Sequence, residues 1–356
     1  MHDGRTAVMK KSSVIYVAGH GGMVGSAIVR KLQEQEYTNI VARTHGELDL
    51  TRQADVEAFF NSVKPEYVFL AAARVGGILA NNTYKAEFIY ENMMIAVNVI
   101  HAAYKHGVRK LINLGSSCIY PKYAQQPMSE ECLLTGTLEP TNEPYAVAKI
   151  SAIKLCRYYN EQYNTNFISA MPTNLYGPND NYNLETSHVL PALIRKFHLA
   201  KLLRAKDIDS IKKDLCRHGD FCEQDAGTLY SHDIYEILNK YGIFDNHIIL
   251  WGTGSPYREF LYVDDLAEAC IFLMKQYDAV DIGEFVNIGA GKDIQIKTLA
   301  LLVKDIIRYE GDIRWDSSRP DGTPRKLLSI EKIARLGWTA KIELAEGIKM
   351  VYDDYR

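Results

Sequence analysis

The sequence predicts an α/β fold: a doubly wound parallel sheet followed by a smaller C-terminal α/β domain. Three observations lead there. Short apolar runs alternate with helical patterns through the first half of the chain; a glycine cluster follows the first run directly; and the rhythm changes near residue 178. The runs begin with Val14-Ile15-Tyr16-Val17-Ala18 and continue at 40–42, 67–72, 110–114 and 166–171. Helical periodicity occupies 53–63, 84–106 and 144–163 between them. Strand–helix–strand repetition predicts a parallel sheet covered by helices on both faces. Right-handed crossovers then bring the C-terminal ends of the strands to one edge, where ligands bind.

The boundaries divide the chain into 1–178, with a loose tail at 1–12, and 179–356. The second part shows helices near 187–200, 264–276 and 295–309 and β-rich runs at 248–251 and 285–288, partly interleaved with the first domain. Residues 201–246 read as a solvated helical insertion. Their two cysteines and two histidines match no standard zinc spacing, so no metal is expected.

Of 356 residues, 47% are hydrophobic and 24% charged, with a formal net charge of −3, which suits a globular protein of ample core. That balance argues against nucleic acid or an anionic membrane as partner. No apolar stretch is long enough to span a bilayer, and the N-terminus lacks a signal-peptide core. Six scattered cysteines form no disulfide framework, which points to a reducing cytoplasm.

The glycine cluster is Gly19-His20-Gly21-Gly22-Met23-Val24-Gly25, a G-x-x-G-x-x-G between the first strand and a helix. The first glycine permits the tight turn, the second lets the backbone approach a pyrophosphate, and the third lets helix and strand pack closely. The helix N-terminus offers free N–H groups to phosphates. In this context the motif predicts a Rossmann-type dinucleotide site. The second strand ends Val41-Ala42-Arg43-Thr44-His45 with no carboxylate to hold a ribose 2′-hydroxyl. Arg43 could pair with a 2′-phosphate, which favours NADP(H) over NAD. Asp49 and Leu50 are placed beside the adenine edge.

Residues 142–149, NEPYAVAK, contain Y-x-x-x-K on a helical pattern, so Tyr145 and Lys149 share one face. An ammonium beside a phenol is expected to lower the phenol's pKa and prepare it for proton exchange with a carbonyl. Ser116, at the end of the 110–114 run, would donate to the same oxygen. Two residues on stands Cys118, a thiol that can serve as acid or base with modest tuning.

The order of glycine motif, strand-end serine and Y-x-x-x-K resembles the extended short-chain dehydrogenase/reductase family, which remodels nucleotide-linked sugars. GHGGMVGSA, LAAARVGGILANNTY, GSSCIYP, PTNEPYAVAK, MPTNLYGPND, HVLPALIRKFH, REFLYVDD and RPDGTPRK carry the likeness from about residue 14 to 340. They are similar to the branch converting GDP-4-keto-6-deoxy-D-mannose to GDP-L-fucose by C3/C5 epimerisation and NADPH-dependent C4 reduction. The resemblance implies that Cys118 and His188 form the epimerisation pair, as base and acid. It also assigns Leu114, Gly115, Lys149, Pro172, Thr173, Asn174, Leu175 and His188 to the cofactor. Lys196 and Arg258 would hold the pyrophosphate, Trp251 and Asp321 the nucleoside, and Asn174 would touch both nicotinamide and sugar. Gly21 and His45 depart from the basic residues expected in some relatives. In this family, helices such as 84–106 and 144–163 pair into a homodimer.

The rival readings are a dehydratase, a simple 4-epimerase, a synthase of a related sugar such as GDP-L-colitose, and a catalytically silent dinucleotide-binding module. Ser117-Cys118 stands where a dehydratase of this family would have acidic residues. A 4-epimerase needs no second acid/base pair, and a silent module has no need of Ser116, Tyr145 and Lys149 together.

Overall fold

A computed structural model describes residues 9–218, 230–319 and 321–356. Most of the expected loose tail, and residues 219–229 of the expected insertion, lie outside the described residues.

The predicted sheet is present. Strands β1 (Ile15–Ala18), β2 (Ile40–Val41), β3 (Tyr67–Leu70), β4 (Lys110–Leu114) and β5 (Phe167–Pro172) are joined by a late strand, Val286–Ile288. Their order is β2-β1-β3-β4-β5 followed by that late strand, and every pairing is parallel. Alternate side chains enter opposite layers. Ile15 and Val17 face one hydrophobic core and Tyr16 and Ala18 the other, because a strand's period is two. The first layer holds α1 (Met23–Glu34) and the helix Val263–Gln276; the second holds α2 (Gln53–Val63), α4 (Lys85–Lys105) and α5 (Glu143–Tyr163). A short α3 (Ile78–Thr83) precedes α4.

The sheet grows from β1 toward β2 on one side and β3 on the other, and that switch point opens a crevice at the strand ends. Gly19, Ala71, Gly115 and Thr173 each follow a strand directly and so share this edge. A smaller sheet forms around β8 (Tyr257–Tyr262). This strand pairs with β6 (Asn174–Tyr176), with Arg325–Lys326, and antiparallel with Asp293–Gln295. β7 (His247–Trp251) pairs with Asp312–Asp316. The strands β6 and β8 and their short partners go beyond the sequence expectation. Two- and three-residue strands offer too little alternation to detect, and β8 is held by neighbours remote in sequence.

The insertion is helical where described. α6 (Val189–Arg204) runs into α7 (Ile208–Arg217), and a further helix spans Ser231–Lys240. Their apolar faces join a hydrophobic core apart from the six-stranded sheet through Leu193, Phe197, Ile211, Leu215, Ile234 and Leu238. The segment is therefore packed rather than solvated. On α4 and α5, Val99, Ile100, Ala152 and Cys156 pack on the sheet, while Tyr90, Val97 and Tyr158 remain exposed. Among the described residues no helix is long and apolar enough to cross a membrane, and no cluster of ligating side chains could hold a metal.

Candidate active site

The glycine turn has the geometry its spacing predicts. Gly19 adopts φ +84°, and Gly22 N–H donates to its carbonyl at 3.1 Å. A Cβ on Gly25 would collide with the Gly19 carbonyl, so only glycine lets α1 approach so closely. The first turn of α1, from Met23 to Gly25, follows with no side chain capping it. Its N–H groups are therefore open to an anion. His20 carries a buried Nδ1 with no partner in this turn. These features fit a dinucleotide pyrophosphate.

Around the adenosine end, Arg43 is exposed, donates to the Ala42 carbonyl at 2.7 Å and lies 5.7 Å over the Phe59 ring. Asp49 accepts from Thr51 N–H at 2.9 Å and Thr51 Oγ1 at 2.7 Å, and these bonds hold its carboxyl below the usual range. Leu50 is buried, and His45 is exposed. At the nicotinamide end, Thr173 N–H bonds the Ile288 carbonyl at 3.0 Å. Asn174 Nδ2 donates to the Glu259 carbonyl at 2.7 Å. Pro172 ends β5, and Leu175 lies within β6.

At the end of β4, Gly115 N–H bonds the Ala170 carbonyl at 2.9 Å, and the chain turns through Ser116. Ser116 Oγ accepts the Cys118 N–H at 3.3 Å and also hydrogen-bonds Tyr145. Lys149, one helical turn from Tyr145, donates to the Leu114 carbonyl at 2.8 Å, with its Nζ 5.6 Å from the Tyr145 ring centre. Here the electrostatics differ from the sequence expectation. Burial, then the charge of Cys118, pushes the Tyr145 phenol well above its ordinary value, and only the Ser116 bond works the other way. Lys149 is itself pushed down to about 8 by burial. Desolvation outweighs the ammonium's effect because both groups sit inside the protein. The phenol is thus held protonated, the state needed to give a proton to a carbonyl oxygen.

Cys118 is half-buried. Its sulfur receives Asn142 Nδ2 at 3.3 Å and Lys326 Nζ at 3.5 Å. His188 caps the start of α6 by position, without a side-chain cap bond. It is accessible at the cleft mouth, yet surrounding protein, then the charge of Lys326, depresses its pKa. Arg258 is register partner to Lys326. Burial lowers its pKa, against the opposing influence of Cys118 and Asp321. One cleft therefore gathers Ser116, Cys118, Tyr145, Lys149, His188 and Arg258. Asn142 and Lys326 complete the cleft; both stand inside motifs read from the sequence, where nothing local signalled that they would meet the thiol.

The nucleoside-side residues divide. Trp251 is 61% exposed, with Arg319 5.1 Å over its ring. Asp321 accepts from Thr253 N–H at 2.9 Å and Thr253 Oγ1 at 2.6 Å, which anchors the loop beside Trp251. Lys196 is buried, and its Nζ donates to the Tyr241 carbonyl at 2.7 Å, pinning the insertion to α6. Burial brings Lys196 to about 8.

The model of the NAD dependent epimerase/dehydratase family matches residues 15–289. The chain belongs to this family. GDP-L-fucose synthase 1 of Arabidopsis thaliana is 53% identical over 350 residues, covering 98% of this chain and 95% of the relative. GDP-L-colitose synthase of Yersinia pseudotuberculosis is more distant, at 32% identity over 94% of this chain and 95% of its own. Among solved structures, a GDP-6-OMe-4-keto-L-xylo-heptose reductase from C. jejuni superposes with TM-score 0.91 at 43% identity, covering 98% of this chain and 99% of that one. A GDP-mannoheptose C4 reductase from Campylobacter jejuni with NADP bound gives 0.85 at 42%, covering 98% and 99%.

Proposed function

We propose that the chain converts GDP-4-keto-6-deoxy-D-mannose to GDP-L-fucose, first epimerising C3 and C5 and then reducing C4 with NADPH. The observation that carries this reading is the shared serine: Ser116 bonds the Tyr145 phenol and the Cys118 backbone, so carbonyl-gripping groups and a thiol belong to one cleft. The sequence relationship to a GDP-L-fucose synthase favours fucose over colitose as product.

A C4 ketone acidifies the hydrogens on both flanking carbons. Ser116 and Tyr145 donate to the C4 oxygen and stabilise the enolate that forms. Cys118 takes the proton from the flanking carbon. His188 returns one from the other face; its depressed pKa makes its charged form a stronger acid. A bound NADPH supplies hydride to C4. Tyr145, held protonated, gives its proton to the C4 oxygen. Lys149 fixes the phenol's helix against the end of β4. Arg258 and Lys196 are assigned to the pyrophosphate; Lys196 would have to leave its carbonyl partners to reach it. Trp251 and Asp321 are assigned to the nucleoside, and Asn174 to the boundary between nicotinamide and sugar.

The exposed Tyr90, Val97 and Tyr158 on α4 and α5 suit a homodimer formed across these helices. Soluble substrates and the free cysteines among the described residues suit a cytoplasmic enzyme. A second reading, C4 reduction alone on a GDP-4-keto-heptose, draws on the likeness to the C. jejuni reductase. Incubation with GDP-4-keto-6-deoxy-D-mannose and NADPH in deuterated water tests both. Deuterium at C3 and C5 of a GDP-L-fucose product is the expected result; C4 reduction without it favours the reductase, and no NADPH oxidation overturns the proposal.

A further inference from the structure

Two nitrogen donors converge on one sulfur. Asn142 Nδ2 comes from the turn before α5, and Lys326 Nζ from a two-residue strand 208 positions beyond Cys118. An ammonium has only donors, so the sulfur accepts at this contact. Lys326 is held there by its surroundings. Its strand is registered against Tyr257 and Arg258 of β8. The following residues are pinned by Leu327 N–H to Gln126 Oε1 at 2.8 Å and Leu328 N–H to the buried Glu259 carboxylate at 3.0 Å. The same ammonium acts on His188. Among the described residues Lys326 has no carboxylate partner within ion-pair distance, so its charge is directed into the cleft.

We propose that Lys326 is a positioning residue for the epimerisation: its ammonium is the counter-ion that holds the Cys118 sulfur as proton acceptor, with Asn142 fixing the sulfur's direction. This rests on the epimerase reading above. In the step, the thiolate forms an S–H bond as the substrate C–H bond breaks, and the electron pair moves to the C4 oxygen. Negative charge passes from sulfur to enolate while Lys326 keeps its proton and faces both. A cation beside the sulfur stabilises its anion at the start, and charge-assisted hydrogen bonds are the strong ones.

The experiment compares Lys326→Met, which keeps the stem and loses the charge, with Lys326→Arg, which keeps the charge. Iodoacetamide alkylation of Cys118 in the free enzyme, followed on the Cys118 peptide by mass spectrometry, should slow about tenfold or more in the Met variant. Deuterium wash-in to the substrate without NADPH should fall by a similar factor. NADPH affinity and the melting temperature report folding and should stay unchanged, and Arg should restore most of both rates. Unchanged alkylation in Lys326→Met, or an Arg variant as slow as Met, would overturn the proposal. Absence of wash-in in the unsubstituted enzyme would instead fault the epimerase reading, while alkylation still judges Lys326.

Discussion

Lys149 Nζ and the Leu114 carbonyl meet at 2.8 Å, joining the helix that carries Tyr145 to the strand end that carries Ser116. Ser116 and Tyr145 must face one oxygen, and this bond sets their separation. Lys149→Met should therefore cut NADPH oxidation by roughly a hundredfold or more, the usual worth of a positioned proton-transfer group. It should also change a stability profile. Native Lys149 has its pKa lowered to about 8 from an ordinary 10.5. Between those values the unfolded chain binds the proton and the native chain does not, so stability rises with pH across that window. The Met variant should lose that rise, as denaturant midpoints at either end of the window would report. An equal rise in both proteins would show that Lys149 is charged in the native state.

The glycine turn makes opposite predictions at two neighbouring positions. A Cβ on Gly25 would strike the Gly19 carbonyl, and neither backbone can yield without opening the turn. Gly25→Ala should abolish NADPH binding or cost several kcal/mol of stability, of order 3 for a forced overpacking. Gly21 has nothing within 4 Å of the site its Cβ would occupy. Gly21→Arg should fold normally and tighten NADPH binding, with a steeper salt dependence, because a cation is added beside the phosphates. Titration by cofactor fluorescence at two ionic strengths checks both.

The division between what the sequence discloses and what it hides follows from the range of the interactions. The helix from Glu143 to Tyr163 and the turn from Gly19 to Gly25 are written in local periodicity and glycine spacing. β8 is different: its three partners come from residues 174–176, 293–295 and 325–326, and each pairing is short. The same distance hides Lys326 from Cys118. The protonation of Tyr145 is hidden from the sequence for another reason. Adjacent residues reveal a neighbouring charge, but not how deeply the fold buries both partners, and burial dominates here.

Asp180, in the loop leading to His188, has one carboxylate oxygen buried without a partner. Burial raises its pKa from 3.8 to about 7, against a single opposing bond from Asn181 N–H. From about pH 4 upward the unfolded carboxyl ionises while the native one retains its proton, so this group costs stability as pH rises to neutrality. Asp180→Asn keeps the acceptor for Asn181 and removes the charge. It should stabilise the protein near neutral pH by about 1 kcal/mol, discounted for partial solvent access, and have no effect below about pH 4. Thermal melts at the two pH values decide, and an advantage persisting in acid would mean the ionised carboxyl is not the cause.

Helices α6 and α7 meet through Arg195, which is fully buried on α6 and donates from Nε to Asp214 of α7 at 2.8 Å. Arg195 Nη1 also reaches the Tyr182 carbonyl at 3.0 Å, and Asp214 takes the Tyr355 hydroxyl from the C-terminal helix. Four segments thus share one buried ion pair, and α6 begins immediately after His188. Arg195→Met leaves Asp214 buried without its guanidinium and should cost about 3–5 kcal/mol, whereas Asp214→Leu in the same chain should return part of that loss. Because α6 positions the imidazole but not the Ser116–Tyr145 pair, deuterium wash-in should fall before NADPH binding does as the Arg195→Met protein is warmed. Simultaneous loss of both would mean that the core around α6 and the parallel sheet unfold as one unit, and that the ion pair serves global stability alone.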